Sequence, residues 1–528
     1  MRERRLRSGV LLLGIALYAL LVGAYYILRF AGRWSEGDTA TLTAAIAHLL
    51  RTGRLIPDVP GPVYLFGPGY PALSTFLAEV SGISAQTLTA HVYPLTVALL
   101  AFVSFALYRN FTGSVSAGLL ATLFLFLQPD FLWVTFRGSH EKMTWALVLT
   151  AFFLLARSFS ARSRIGVLAK YVFLFYLVVF ALLASNAFFA SSFIAALTMG
   201  ALGGALVFVL GRRYKTMLAS SSEVQVRRLL YVFLSCSVLL YLFIFHIYPP
   251  LRNAVYILGT LLEQLAALLL GVDLQFDPYA YVSTAWTSLA TYVALTLFNY
   301  TVLLTSFAVW VRGIPRLLRP GSDSERDLPK VLLWLLYPAF AFQLALAVIS
   351  DRAGVLGGNF QVRLFTPMMI IAIPLAAMGV QQAWSRVKPG LFRGVTVGLA
   401  VILVCWFGAA ALMKATNEPA LNKQWIFYSG AEQQAGAWIA RHVASAQVWA
   451  GEERLLSAME LSSYPHQGID YEGWSVDPAT RYYLFSTLER VKYARLGLPM
   501  PYFQEENRVY DNGEVQLYHR RPKTPYQR

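Results

Sequence analysis

Eleven blocks of apolar residues recur along this chain, near 9–30, 87–108, 113–129, 143–158, 171–190, 193–211, 229–248, 286–311, 331–350, 364–383 and 395–413. At a rise of about 1.5 Å per residue, a helix of roughly twenty residues crosses a hydrocarbon layer about 30 Å thick. A helix also satisfies its own backbone hydrogen bonds, which lipid cannot do for it. The expected fold is therefore an all-α polytopic membrane domain of about eleven transmembrane helices. The opening MRERRLRSGVLLLGIALYALLVGAYY starts with the basic residues of a secretory signal. Its apolar part is too long for one and lacks a small-residue cleavage site, so it reads as a retained first helix.

Charge supplies the orientation. The formal charge is +16, but the basic residues sit in short clusters between apolar blocks and not on one face, which argues against nucleic acid as a partner. With the N-terminus in the cytoplasm, 22 basic residues fall inside and 9 outside before the tail, as the positive-inside rule requires. A twelfth span over 254–272 would turn the Arg-rich loop 312–330 outward. That segment is therefore read as an interfacial or re-entrant helix with Glu263 and Gln264 on its wet side. Ten of the 15 acidic residues before the tail then face outward, Asp130 and Asp351 among them. No Asp, Glu, Lys or Arg lies mid-span, which disfavours an ion-coupled transporter and puts the chemistry at the outer surface. Cys236 and Cys405 each lie inside an apolar block and suggest no disulfide or metal-thiolate site.

From about residue 414 the composition turns polar, dividing the chain into a membrane domain over 1–413 and a small extracytoplasmic α/β domain over 414–528. EQQAGAWIARHV reads as a helix, AQVWAG and RYYLF as strands. RVYDNGEVQLYHR reads as a hairpin turning at Asn512-Gly513 in type I′.

Two outer helix starts carry the candidate chemistry. RWSEGDTATLTAAIAHLL follows the first span with Glu36 and Asp38 one residue apart, then an amphipathic run that lies along the membrane surface. A Ser35-x-x-Asp38 capping box accounts for the acids in purely structural terms. TFRGSHEKMTW places Arg137, His140, Glu141 and Lys142 at the start of the fourth span, where a Ser139 cap offers the same structural account. Two such starts on one face can converge on one cavity. A third element is Arg363, at the outer lip of a later span behind a glycine-rich turn. There a guanidinium can grip a phosphate at the headgroup level, or simply anchor to lipid phosphates.

These residues, together with the aromatic and proline-rich stretch containing Tyr64, Phe66, Pro68, Tyr70 and Pro71, resemble the GT-C glycosyltransferases. That superfamily includes protein mannosyltransferases, the lipid A aminoarabinose transferase and oligosaccharyltransferases. The resemblance implies a cell-membrane enzyme that transfers a sugar from a polyprenyl-phosphate-linked donor to an acceptor hydroxyl on the extracytoplasmic face. Its partners would be that donor, membrane lipids and a glycan, lipid or protein acceptor. By resemblance Asp38 is the catalytic carboxylate, with Glu36 orienting it and Glu141 a second acid. Arg363, Lys142, Arg137, His140, Tyr64 and Tyr70 line the substrate. Glu36 and Asp38 are also the ligands for Mg²⁺ or Mn²⁺, should the reaction use either. No Trp-Trp-Asp acceptor motif is present, and GWSVD at 473–477 is a poor substitute, which disfavours block transfer to protein asparagine. A lipid or polysaccharide flippase or transporter, an oligosaccharyltransferase-like enzyme and a non-enzymatic scaffold are the alternative readings.

Overall fold

The computed structural model describes residues 2–30, 37–54, 67–160, 165–213, 263, 266, 270, 289–317, 328–352, 360–387, 391–416, 418, 430–443, 448–450, 481–487, 490 and 506–519. Glu36, Tyr64, the span expected at 229–248, most of 254–272 and the GWSVD stretch lie outside these residues. Helices α1 (Arg2–Phe30), α2 (Gly37–Thr52) and α3 (Gly69–Ser81) come first, and α4 (Ala85–Thr112) follows. Next are α5 (Val115–Phe126), α6 (Pro129–Phe136), α7 (Glu141–Ser160), α8 (Ile165–Ser185) and α9 (Ala187–Arg213). The last membrane helices are α10 (Leu289–Leu317), α11 (Leu328–Arg352), α12 (Phe360–Arg386) and α13 (Leu391–Ala415). Among the described residues seven helices are long and apolar enough to cross a membrane, or eight if the bent pair α5 and α6 counts as one span. The protein is a polytopic membrane protein.

Three departures from the apolar-block reading have local causes. The third block is not one straight helix, because Pro129 lacks an N–H and cannot continue α5. Gln128, in extended conformation, caps α6 through its side chain, and the two helices meet at 66°. The fifth and sixth blocks are divided at Asn186 and not at 191–192. There the Asn186 side-chain oxygen accepts the Phe189 N–H at 3.2 Å and starts a new helix. Within α4, Pro94 interrupts the regular ladder, and a π segment (Leu88–Val92) precedes it. Gly23 of α1 crosses there so closely that a Cβ would lie 2.8 Å from the Pro94 carbonyl oxygen.

The packing centre is α12, whose stretch from Met368 to Ala377 is buried throughout, against α5, α10 and α11. By contrast α13 leaves Val395, Leu399, Ile402 and Trp406 exposed, as lipid-facing residues are, and turns Phe407 and the small Ala410, Ala411 and Ala415 inward. Such small residues let backbones approach closely, and this stretch packs on α6.

After α13 the chain forms α14 (Gly430–His442) and a four-stranded sheet of β1 (Val448–Ala450), β2 (Tyr482–Ser486), β3 (Asn507–Asp511) and β4 (Val515–His519). The order is β1-β2-β4-β3, with β1 parallel to β2 and the other pairs antiparallel. The hairpin turns one residue later than Asn512-Gly513 predicts. Asn512 and Val515 pair across it, and the Asn512 carboxamide oxygen accepts the Glu514 and Val515 N–H groups at 3.2 and 2.8 Å. Gly513, at φ 89°, takes the left-handed position.

Candidate active site

In the orientation read from charge, the outer end of the bundle collects α2, α3, the turn 137–140 and the α8–α9 break. Gly138 joins the first two loops. Its missing side chain leaves room for Thr39, the second residue after Gly37 in α2, and a Cβ would overlap Thr39 and reach within 3.0 Å of the Thr89 carbonyl oxygen. Behind this contact Thr43 Oγ1 and Thr89 Oγ1 bond at 2.9 Å. Tyr70 fixes the turn from α3, its buried hydroxyl donating to the Gly138 carbonyl at 2.5 Å. Its ring lies 6.2 Å from His140 and 5.9 Å from Tyr93. Gly69, at the start of α3, abuts the Ala184 backbone, where a Cβ would come to 3.0 Å.

Arg137, Ser139, His140, Glu141 and Lys142 are all buried. Glu141 accepts from the Arg137 guanidinium through one oxygen and from the Ser139 hydroxyl through the other, with His140 Nδ1 at 4.0 Å. Burial is the largest single influence and pushes the Glu141 carboxyl up, but Arg137, His140, the Ser139 hydroxyl and its own backbone N–H together outweigh it. The carboxyl is held at about 2 against an ordinary 4.5. Lys142 folds back on the turn, donating to the carbonyl oxygens of Arg137 and Ser139 at 2.6 and 2.9 Å, with Nζ 5.0 Å from the Tyr93 ring. The other face of the cluster is Trp133, over whose ring the Arg137 guanidinium stacks at 4.3 Å.

The structure thus gathers Arg137, His140, Glu141, Lys142 and Tyr70, and seats the α2 start, where Asp38 precedes Thr39, on the same turn. Arg363 is exposed on the first turn of α12, 5.7 Å from the Phe188 ring. Its helix is moored by Asp351 of α11, whose buried carboxylate accepts the N–H groups of Phe360 and Gln361 at 2.8 and 2.7 Å. A hard divalent ion takes about six oxygen ligands. Among the described residues no group of three or more His, Cys, Asp or Glu gathers as such an ion would need, while Glu36 and the Asp38 side chain lie outside them.

A second polar group, centred on Asp130, lies at the α5–α6 bend. The buried carboxamides of Gln128 and Asn299 both donate to Asp130 Oδ2, at 3.1 and 3.0 Å, and Gln128 also donates to Asn299 at 3.4 Å. Lys414, near the end of α13, brings Nζ to 3.8 Å from Asp130 Oδ1 and 5.3 Å from the Trp133 ring. The Gln-Pro-Asp sequence at the end of an apolar block was the available signal.

Gly138→Ala tests the seam between the loops. Pushing Thr39 away is expected to cost about 1–3 kcal/mol, as overpacking does. A lower unfolding midpoint in detergent would show it, and an unchanged midpoint would mean the loops are not in contact.

No protein-family model matches the chain, and no curated protein does. Solved structures do. The archaeal oligosaccharyltransferase AglB from Archaeoglobus fulgidus, in complex with an inhibitory peptide and a dolichol-phosphate, aligns at TM-score 0.60 and 12% identity over 92% of this chain and 70% of its own. The apo form of the Archaeoglobus fulgidus oligosaccharyltransferase aligns at 0.58 and 11% identity, over 90% and 69%. ArnT from Cupriavidus metallidurans aligns over 97% of both chains, but at 0.43 and 12% identity that likeness carries no argument. The chain has the polytopic fold of the Archaeoglobus fulgidus oligosaccharyltransferase structures with which it aligns.

Proposed function

We propose that this protein is a membrane glycosyltransferase that moves a sugar from a polyprenyl-phosphate donor to an acceptor hydroxyl at the extracytoplasmic face. The observation that carries this reading is the Gly138 seam, which sets the Asp38 helix start against a buried cationic turn. The fold likeness to AglB, whose solved complex contains a dolichol-phosphate, supports it.

An acceptor hydroxyl is a weak nucleophile and must lose its proton as it attacks the anomeric carbon. Asp38 accepts that proton, with Glu36 orienting it. Negative charge grows on the departing lipid phosphate, and fixed cations stabilise it. Arg363 grips the phosphate from the headgroup side. Arg137 supplies a preorganised positive field from the turn. Glu141, with both oxygens engaged and its carboxyl held at about 2, is a poor proton acceptor; its role is to hold Arg137. The orientation, with the N-terminus in the cytoplasm and the C-terminal sheet outside, belongs to the same proposal, as does the division near residue 414.

The test is purified protein in nanodiscs with radiolabelled polyprenyl-phosphate sugars and hydroxyl acceptors, following release of polyprenyl phosphate. Cleavage with label in the acceptor supports the reading. Movement of intact donor between leaflets without cleavage would make the protein a flippase.

Arg363→Ala is expected to raise donor KM about tenfold, the loss of roughly one charge-assisted contact, and Arg363→Lys to raise it less. Equal donor KM in both variants and the wild type would reduce Arg363 to a lipid anchor.

A further inference from the structure

We infer that Asp130, Lys414 and Trp133 form a carbohydrate-binding subsite, distinct from the Asp38 and Arg137 site and next to it. The inference rests on the glycosyltransferase reading only for what the bound sugar is for: it would hold the ring of a hydroxyl-bearing acceptor.

The Asp130 carboxylate is built in. One oxygen is fixed by two buried carboxamides, Gln128 in the α5–α6 bend and Asn299 of α10. Two buried amides that also bond each other hold that oxygen still and leave Oδ1 to face Lys414. The 3.8 Å between Oδ1 and Nζ exceeds the 2.7–2.9 Å typical of a charge-assisted hydrogen bond. The pair is also partly open, with side-chain exposures of 21% and 16%. An acceptor and a donor set this way suit a hydroxyl, which donates to the carboxylate and accepts from the ammonium at once. Vicinal sugar hydroxyls offer two such atoms, whereas a phosphate would meet the carboxylate as a like charge.

The third wall is apolar. Trp133 lies three residues beyond Asp130, on the same face of α6. It is half-buried, with Lys414 Nζ 5.3 Å from its ring. An indole beside a carboxylate and an ammonium matches a pyranose, whose rim is polar and whose ring carries C–H groups. Trp133 also joins the subsite to the first site, because Arg137 stacks on the same ring. A sugar held at Asp130 is thus about two helical turns of α6 from the turn that packs on the Asp38 helix start, with Trp133 between them.

The experiment is saturation-transfer NMR on the full chain in nanodiscs, with no donor present. The probes are methyl α-D-mannopyranoside and methyl β-D-galactopyranoside, with cyclohexanol as a ring lacking vicinal hydroxyls. At least one glycoside is expected to bind and cyclohexanol not. Asp130→Asn, which keeps the shape, and Lys414→Met are each expected to weaken binding about tenfold. Trp133→Leu should remove the saturation transfer to the ring C–H protons. Absence of glycoside binding in the wild type overturns the subsite. So does equal binding in Asp130→Asn and Lys414→Met variants whose unfolding midpoints match the wild type. Because no donor is used, glycoside binding that depends on Asp130 stands even if donor cleavage is never observed, and donor cleavage without glycoside binding sinks the subsite alone.

Discussion

Replacing Asp38 with Asn is expected to lower the rate of sugar transfer by about 10²- to 10⁴-fold, the usual worth of a positioned proton acceptor. The amide is nearly the same size but cannot take a proton at neutral pH. Asp38 stands in the first turn of α2, next to Thr39, which is buried against Gly138. The substitution therefore leaves the seam intact, and the unfolding midpoint in detergent should stay near the wild-type value. Initial rates with polyprenyl-phosphate sugar and acceptor supply the measurement. A fully active, folded Asp38→Asn protein would take Asp38 out of the mechanism, and Glu36 would become the carboxylate to test next.

The second large effect is on stability. Glu141→Gln removes the charge that neutralises Arg137 in a buried pair whose side chains are each 9% exposed. Leaving one charge of such a pair uncompensated costs about 3–5 kcal/mol. The carboxyl of Glu141 lies at about 2 when folded and ordinarily at 4.5, so its folded pKa is depressed. Its contribution is fully present above pH 4.5 and fades as pH falls from there toward 2. The wild type should lose its advantage over the Gln variant across that window, and unfolding curves at pH 7 and pH 3 show whether it does. Equal midpoints for the two proteins at neutral pH would mean the pair adds nothing.

Seven of the eleven expected spans were legible, or eight with the bent pair α5 and α6, because a run of twenty apolar side chains is a length signal that needs no partner to interpret. Their ends were less so. The break at Asn186 carries neither Gly nor Pro, and only the side-chain cap on Phe189 reveals it. The Asn-Gly pair announced a hairpin, but the Asn512 carboxamide captured two backbone N–H groups and moved the turn by one residue. At the site, both charged helix starts read equally well as caps. What distinguishes them is Gly138, whose purpose becomes visible only when Thr39 and Thr89 are seen against it. Gln128 and Asn299 escaped because neutral amides inside apolar blocks look like interhelical glue until a carboxylate is found between them.

The bend at Pro129 has a further consequence for the lipid around it. Helix α5 has 12 residues and rises about 18 Å, well short of a hydrocarbon layer about 30 Å thick. The chain then swings aside through 66° with a carboxylate and a tryptophan on the swung piece. With less apolar length than the hydrocarbon layer spans, α5 and the bend beyond it are expected to draw the bilayer thinner around them.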